Sequence, residues 1–339
     1  MRRFAVIVAE AIVRALGNAA ASRTGAFRSW PASALLIDRP LALAEERTSR
    51  LRGIYAKASR DVWDGPALFR EAVNKHGGIQ LSPEKRRALA VPITMLMWGE
   101  LAAWIVSAEL TERLDDPDAR MAASSQVFDE ARHFYTLRDY LALLHVPVPP
   151  LNPFAAIAFR RLLATKDLTR KLLTMQILAE GAATAIFRFL LDSRVEPVLC
   201  ELLPYIERDE ARHVGLGVLS LPERLDQLSV KQRHRIRRFS AGVGDLLAVA
   251  QFQMAEHYRA LGADPRDLIR TADRVLFNLS EKLGTVPGSD EKYFRADDPS
   301  RPDYDERLDF FLPLPGKHPS AGARGIRMVI ELFGRALPA

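Results

Sequence analysis

The sequence predicts an all-α protein, and three observations carry that expectation. Apolar residues recur at helical spacing over long segments, no stretch alternates with the period of two that marks a half-buried strand, and prolines gather in short polar breaks between segments. The helical segments run at about 39–62, 83–114, 118–145, 166–193, 197–221, 229–262 and 265–283. The breaks are DDPD at 115–118, VPVPP at 146–150, EP at 196–197 and DP at 264–265. A proline and the residue before it both disfavour helix continuation, so each break ends one helix and begins another.

The flanks read differently. MRRFAVIVAEAIVRALGNAAAS opens the chain, but Glu10 and Arg14 interrupt the apolar core that a secretory signal would need. It reads as an amphipathic helix, either packed on the domain or lying on a membrane surface. From 285 to 323 the chain turns rich in Pro, Gly and charge and reads as an irregular arm, closed by a short amphipathic helix at 324–337. Three regions follow: an N-terminal helical extension over 1–82, a helical bundle over 83–284 and a C-terminal arm over 285–339.

Composition bounds the function classes. Of 339 residues, 48% are hydrophobic and 27% charged, which suits a globular protein with a sizeable core. The 48 basic and 42 acidic residues give a net charge of +6, too mild to imply a nucleic-acid partner. No eighteen consecutive residues are apolar, so no membrane span is expected. The single cysteine, Cys200, allows no disulfide within the chain and fits a reducing, cytoplasmic setting.

One pentapeptide, Asp-Glu-Ala-Arg-His, occurs twice, at 129–133 and 209–213. The repeat is wider than these five residues. Glu130 and His133 recur eighty positions on as Glu210 and His213, Glu100 recurs as Glu180, and Pro117 recurs as Pro197. Each proline lies near the middle of its Glu-to-Glu interval, so each interval reads as helix, turn, helix. Residues equidistant from the turn of an antiparallel hairpin lie level, here roughly 20 Å from it at 1.5 Å per residue. Glu100 then faces Glu130, Glu180 faces Glu210, and each Glu-x-x-His pair shares one helix face. Two such hairpins packed together place four glutamates and two histidines at the centre of a four-helix bundle. Four buried carboxylates without partners would repel one another and take up protons. Two divalent cations balance their charge, and carboxylate with imidazole suits iron or manganese.

A glutamate from each of two helices, with Glu-x-x-His from each of the other two, resembles the ferritin-like di-iron carboxylate superfamily over about 85–220. The resemblance implies a ferritin-like four-helix bundle with additional N- and C-terminal helices and two iron ions, or a Mn/Fe pair. It implies Glu100, Glu130, His133, Glu180, Glu210 and His213 as metal ligands. It also implies that Asp129 and Asp209 each orient a histidine of the other hairpin, with Arg132 and Arg212 balancing them.

Three uses of such a centre compete. The first is O2 activation to oxygenate or oxidise a largely apolar small molecule or acyl substrate. Leu96, Met97, Ala103 and Trp104 around Glu100, and Phe134, Leu137 and Leu216 near the histidines, suit a dry cavity, although each also suits ordinary core. Thr184, one turn after Glu180, matches a threonine that the bacterial multicomponent monooxygenases associate with proton delivery. A mid-helix threonine that bonds the carbonyl one turn back is the alternative. Gly181 leaves room beside the metals or permits a local bulge. The second use is a ferroxidase or peroxidase without organic substrate, for which the long flanks are poorly suited. The third is the ribonucleotide reductase small subunit. Its radical tyrosine position holds Leu137, with Tyr135 on another face, and its first ligand is aspartate where this chain has Glu100. A ligand-binding oxidase related to that subunit stays open. The basic stretch KQRHRIRR at 231–238 is either a solvated helix face or a dock for an acidic partner, an acyl carrier protein or a ferredoxin-like electron donor. His76, His145, His234, His257 and His318 lack ligand spacing. A homodimer is the expected assembly if the chain is not a monomer.

Overall fold

The structure is a computed structural model, and it describes residues 46–294 and 296–313. Among these residues the chain is helical, with one isolated antiparallel bridge between Thr285 and Lys292. In order the helices are α1 (Glu46–Arg60), α2 (Gly65–His76), α3 (Pro83–Arg113), α4 (Pro117–Leu143), α5 (Pro153–Ala164) and α6 (Leu168–Asp192). They continue as α7 (Pro197–Asp226), α8 (Val230–Gln253), α9 (Ala255–Leu261), α10 (Pro265–Leu283) and α11 (Tyr304–Phe311).

Helices α3, α4, α6 and α7 make the bundle. The two repeat prolines open its return helices, because the first helical turn needs no N–H from them. Pro117 begins α4, where the Asp116 carboxylate accepts from the backbone N–H groups of Asp118 and Ala119. Pro197 begins α7, where Glu196 accepts from the N–H of Leu199. α3 packs along α4 and α6 along α7, with α1 and α2 laid against α4 and α7. α8 covers α5, and α10 lies on α6. The helices of 46–76, within the expected N-terminal extension, pack directly on the bundle.

The bundle core is divided in two by a polar layer. One apolar cluster includes Leu89, Ile93, Leu137, Phe187 and Leu202; the other includes Val106, Leu110, Ala123, Leu173 and Leu216. Along each bundle helix the glutamate lies between residues of the two clusters. α3 and α6 are long and apolar enough to cross a membrane by length and composition alone. Neither contains eighteen consecutive apolar residues. Each is largely buried within the protein and carries a glutamate inside its length, as a core helix of the bundle does.

Several elements depart from the sequence-based expectation. α2 and α5 were not expected. α2 is short but fully signalled: Asp64 caps its start and Gly77, at φ 67°, ends it in the left-handed conformation. α5 is capped by Asn152 and lies just beyond the proline run at 146–150. The segment 229–262 is two helices, broken at Met254. α11 lies inside the arm expected to be irregular. The N-terminal amphipathic helix and the helix at 324–337 fall outside the described residues.

α6 holds the main irregularity. Leu172–Ala179 is π-helical, and the chain returns to α-helix at Glu180. π-helical turns arise where a helix is widened by an extra residue, often near functional groups. α7 approaches this widened segment closely. A Cβ on Gly217 would stand 2.7 Å from Gln176 Cβ and 2.9 Å from Ile177 Cδ1. Gly181 serves a different approach: its Cβ would meet Leu279 Cδ1 of α10 at 2.9 Å. The bulge expected at Gly181 therefore lies upstream of Glu180, and the glycine admits α10.

Candidate metal centre

The repeat brings six side chains to one point. Glu100 comes from α3, Glu130 and His133 from α4, Glu180 from α6, and Glu210 and His213 from α7; all six are buried. They form two overlapping quartets, Glu100–Glu130–His133–Glu210 and Glu130–Glu180–Glu210–His213. Within each quartet one ligand atom per residue lies within 4.8 Å of the others. Glu130 and Glu210 belong to both quartets, which makes them the carboxylates that would bridge two bound ions. His133 Nδ1 stands 3.1 Å from Glu210 Oε1 and 3.5 Å from Glu130 Oε2. His213 Nδ1 stands 2.8 Å from Glu210 Oε2 and 3.0 Å from Glu130 Oε1.

The far side of each imidazole meets the other hairpin. His133 Nε2 lies 3.2 Å from Asp209 Oδ2, and His213 Nε2 lies 3.4 Å from Asp129 Oδ2. A carboxylate can only accept, so each Nε2 donates, and each Nδ1 faces the glutamates. Arg132 donates to Asp129 and, at 2.7 Å, to Asp209. Arg212 donates to Asp129 at 2.9 Å and to Asp209 at 2.7 Å. Two arginines and two aspartates thus form a closed, self-balanced cage behind the histidines.

Two further residues enter that sequence reasoning missed. Trp63, between α1 and α2, donates its indole N–H to Asp209 Oδ2 at 2.8 Å and stacks on His133 with the rings 20° apart. Gln126, one turn before Glu130, is buried and donates to Glu130 Oε1 at 2.8 Å and to Glu180 Oε1 at 3.0 Å. A polar residue one turn from a ligand on its buried face was the available signal for Gln126. Trp63 lies outside the repeat and had none.

Charge accounts for the protonation pattern. Burial and the nearby Glu210 push the Glu100 carboxyl well above the usual carboxylate range. Burial and the same neighbour do so for Glu180. Burial also opposes ionisation of Glu130 and Glu210, but the two histidines facing them hold both below that range. Burial disfavours the imidazolium of His133, yet Asp209 and the glutamates around it hold its pKa well above the ordinary value. His213 is raised likewise against its burial, by Glu130, Glu210 and Asp129. Without metal, the shifts favour ionised Glu130 and Glu210 facing two imidazolium groups, and favour the protonated forms of Glu100 and Glu180.

These residues fit two divalent cations. Asp129 and Asp209 are offset by Arg132 and Arg212, which leaves four glutamates for two doubly charged ions to balance. Glu130 Oε2, Glu210 Oε1 and His133 Nδ1 are buried and lack hydrogen-bond partners among the described residues, although oppositely charged atoms stand close by. Such buried polar atoms are costly unless something else satisfies them. The donor set is four carboxylates and two imidazoles, with no thiolate, which suits iron or manganese.

A cavity of about 840 Å³ reaches this centre from one side. Its walls include Glu100 and Glu180 together with Leu96, Ala103, Phe159, Ala183, Ile186 and Leu276. α8, α10 and the C-terminal arm complete it, the arm through Phe294, Tyr304 and Leu308. Thr184 is placed otherwise: its hydroxyl donates to the Glu180 carbonyl at 2.9 Å, and its neighbours Ala182 and Ala183 form the wall. Leu137 is fully buried and Tyr135 is 46% exposed, so no tyrosine occupies the position one turn after His133. Trp104 and Phe134 pack on each other with centroids 6.4 Å apart. In the 231–238 stretch, His234 and Arg237 pair with Glu291 and Arg233 pairs with Asp226, so part of its charge is used within the chain. His76 pairs with Glu201.

No protein-family model matches the chain, and no curated protein sequence does. Solved structures do. Protein 19 with aldehyde deformylating oxidase activity from Synechococcus is 20% identical, with a TM-score of 0.52 over 60% of this chain and 92% of that one. A variant of the R2-like ligand-binding oxidase with an aerobically reconstituted Mn/Fe cofactor is 15% identical, with a TM-score of 0.58 over 69% of this chain and 93% of that one. Another, with an Fe/Fe cofactor, is 14% identical with a TM-score of 0.57 over the same shares. The chain therefore has the ferritin-like helical-bundle fold of these solved structures.

Proposed function

We propose that this protein is an O2-dependent dinuclear iron, or Mn/Fe, oxidoreductase that oxygenates or oxidises an apolar small molecule or acyl chain. The observation that carries the proposal is the apolar cavity ending on Glu100 and Glu180. A ferroxidase or peroxidase has no use for it, whereas about 840 Å³ lies within the range of small-molecule sites. The solved structures with this fold support the same class, being named as oxidases with an aldehyde-deformylating or ligand-binding role.

Bound metal ions would supply the electron transfer that O2 reduction needs. The chain supplies the rest. Glu130 and Glu210 tie the two metal positions together. Asp209 and Asp129 hold the protons on His133 Nε2 and His213 Nε2, which leaves each Nδ1 for a metal. Apolar walls position the substrate and keep water from the reacting atoms. Proton delivery by Thr184 would require its hydroxyl to leave the Glu180 carbonyl. An electron donor such as a ferredoxin, or an acyl carrier protein, belongs to the proposal, with Lys231, Arg235 and Arg238 as exposed cations of the basic stretch. A homodimer is the proposed assembly.

Two measurements test this. Purified protein should carry about two iron or manganese ions per chain. Reduced protein mixed with O2 and a long-chain aldehyde or acid should yield an oxidised product. Ala183→Phe, which fills the cavity, should lower that yield at least tenfold while both metals stay bound. Unchanged yield in Ala183→Phe, or a mineral core in place of an organic product, refutes the proposal.

A further inference from the structure

The repeat builds a centre with near two-fold symmetry, and Gln126 breaks it. Its repeat counterpart, eighty positions on, is Ile206, which is also buried and one turn before a bridging glutamate. Among the described residues, only the half containing Glu180 therefore has an amide donor of this kind. Gln126 Nε2 donates to one oxygen of Glu180 and one of Glu130, which ties the two carboxylates together and fixes how their remaining oxygens point.

A second asymmetry lies behind the histidines. Asp129 accepts from His213, Arg132 and Arg212. Asp209 accepts from His133, Arg132, Arg212 and also Trp63. The added donor fixes Asp209 through one more side chain than Asp129 has, so the carboxylates behind the two histidines are not equivalent.

We propose that the two metal positions are unequal by construction. The position made by Glu180 and His213 fills first, with Gln126 as its positioning residue, and the position made by Glu100 and His133 fills second. The inference rests on the dinuclear reading and deepens it.

The test is equilibrium titration of metal-free protein with Mn(II), following free Mn(II) by electron paramagnetic resonance. Wild type should bind in two steps at least tenfold apart. Glu100→Ala should keep the tight step and lose the weak one, and Glu180→Ala should lose the tight step. Gln126→Leu nearly conserves volume and removes an amide oxygen that has no hydrogen-bond partner among the described residues, so the fold should survive. It should weaken the tight step by roughly 10- to 100-fold and leave the weak step in place, bringing the two together. Ile206→Gln, which offers an amide to the other half, should strengthen the weak step. Two equal steps in wild type, an unchanged tight step in Gln126→Leu, or loss of the tight step in Glu100→Ala would each overturn the proposal. Absence of any Mn(II) binding would instead sink the dinuclear reading itself.

Discussion

Loading the centre with metal should expel about four protons per chain at pH 7. The number follows from the geometry. In the metal-free protein His133 and His213 are held well above their ordinary pKa, and each Nδ1 proton faces the bridging carboxylates. Glu100 and Glu180 are held well above the carboxylate range and are protonated too. Glu130 and Glu210 are already ionised and release nothing. Two divalent ions therefore replace two imidazolium protons and two carboxyl protons. The sign is fixed: metal competes with protons, so affinity rises with pH until these four groups have lost theirs. Below that limit, the product of the two binding constants should climb roughly four decades per pH unit. The assay is calorimetric titration of metal-free protein with Mn(II) at pH 7, in buffers of differing ionisation enthalpy. The slope of apparent enthalpy against buffer enthalpy counts the protons. Four supports the charge balance. Fewer than two would mean that the metal-free centre stores its charge some other way, and the reasoning would fail.

Asp209→Asn should loosen His133 and leave the arginine cage under-compensated. It should weaken Mn(II) binding roughly 10- to 100-fold and lower unfolding stability by about 3–5 kcal/mol, measured by thermal melting of the metal-free form. Gly217→Ala should cost about 1–3 kcal/mol in chemical denaturation, because its new methyl meets Gln176 and Ile177 across the π-helical segment. Thr184→Val should keep product formation within about twofold, since the hydroxyl serves the Glu180 carbonyl. A tenfold loss with both metals bound would assign Thr184 the proton-delivery role.

The residues that gather at the centre were legible because they come in pairs. Glu100 and Glu180, Glu130 and Glu210, and His133 and His213 share one offset, and a repeat with midpoint prolines converts sequence distance into spatial register. The cross-pairing of Asp129 with His213 and Asp209 with His133 follows from the same symmetry. Whatever does not repeat was harder to read. Gln126 is matched by Ile206, and Trp63 stands in a short connection outside the repeat. The π-helical segment LLTMQILA gives no warning in its pattern, since it is apolar almost throughout and periodicity cannot separate a widened turn from an ordinary one. α2 and α5 were lost to brevity, although Asp64, Gly77 and Asn152 carried their capping signals.

Symmetry and its breaking divide the work of this centre. The symmetric part can hold two ions: bridging glutamates between two histidines, backed by an aspartate–arginine cage that seals the far side. A purely symmetric centre would offer substrate no preferred approach. Here the cavity meets Glu100 and Glu180, the two carboxylates outside the bridging pair, and its walls come from α8, α10 and the C-terminal arm, which lie outside the repeat. The same two carboxylates are the ones whose protonated forms are favoured without metal, so as candidate ligands they would have the most freedom to change partner. Glu180 is restrained by Gln126 and follows directly on the π-helical segment, whereas Glu100 has no amide donor among the described residues. Chemistry at the cavity face is therefore expected to centre on Glu100, with the Glu180 half as the anchored side.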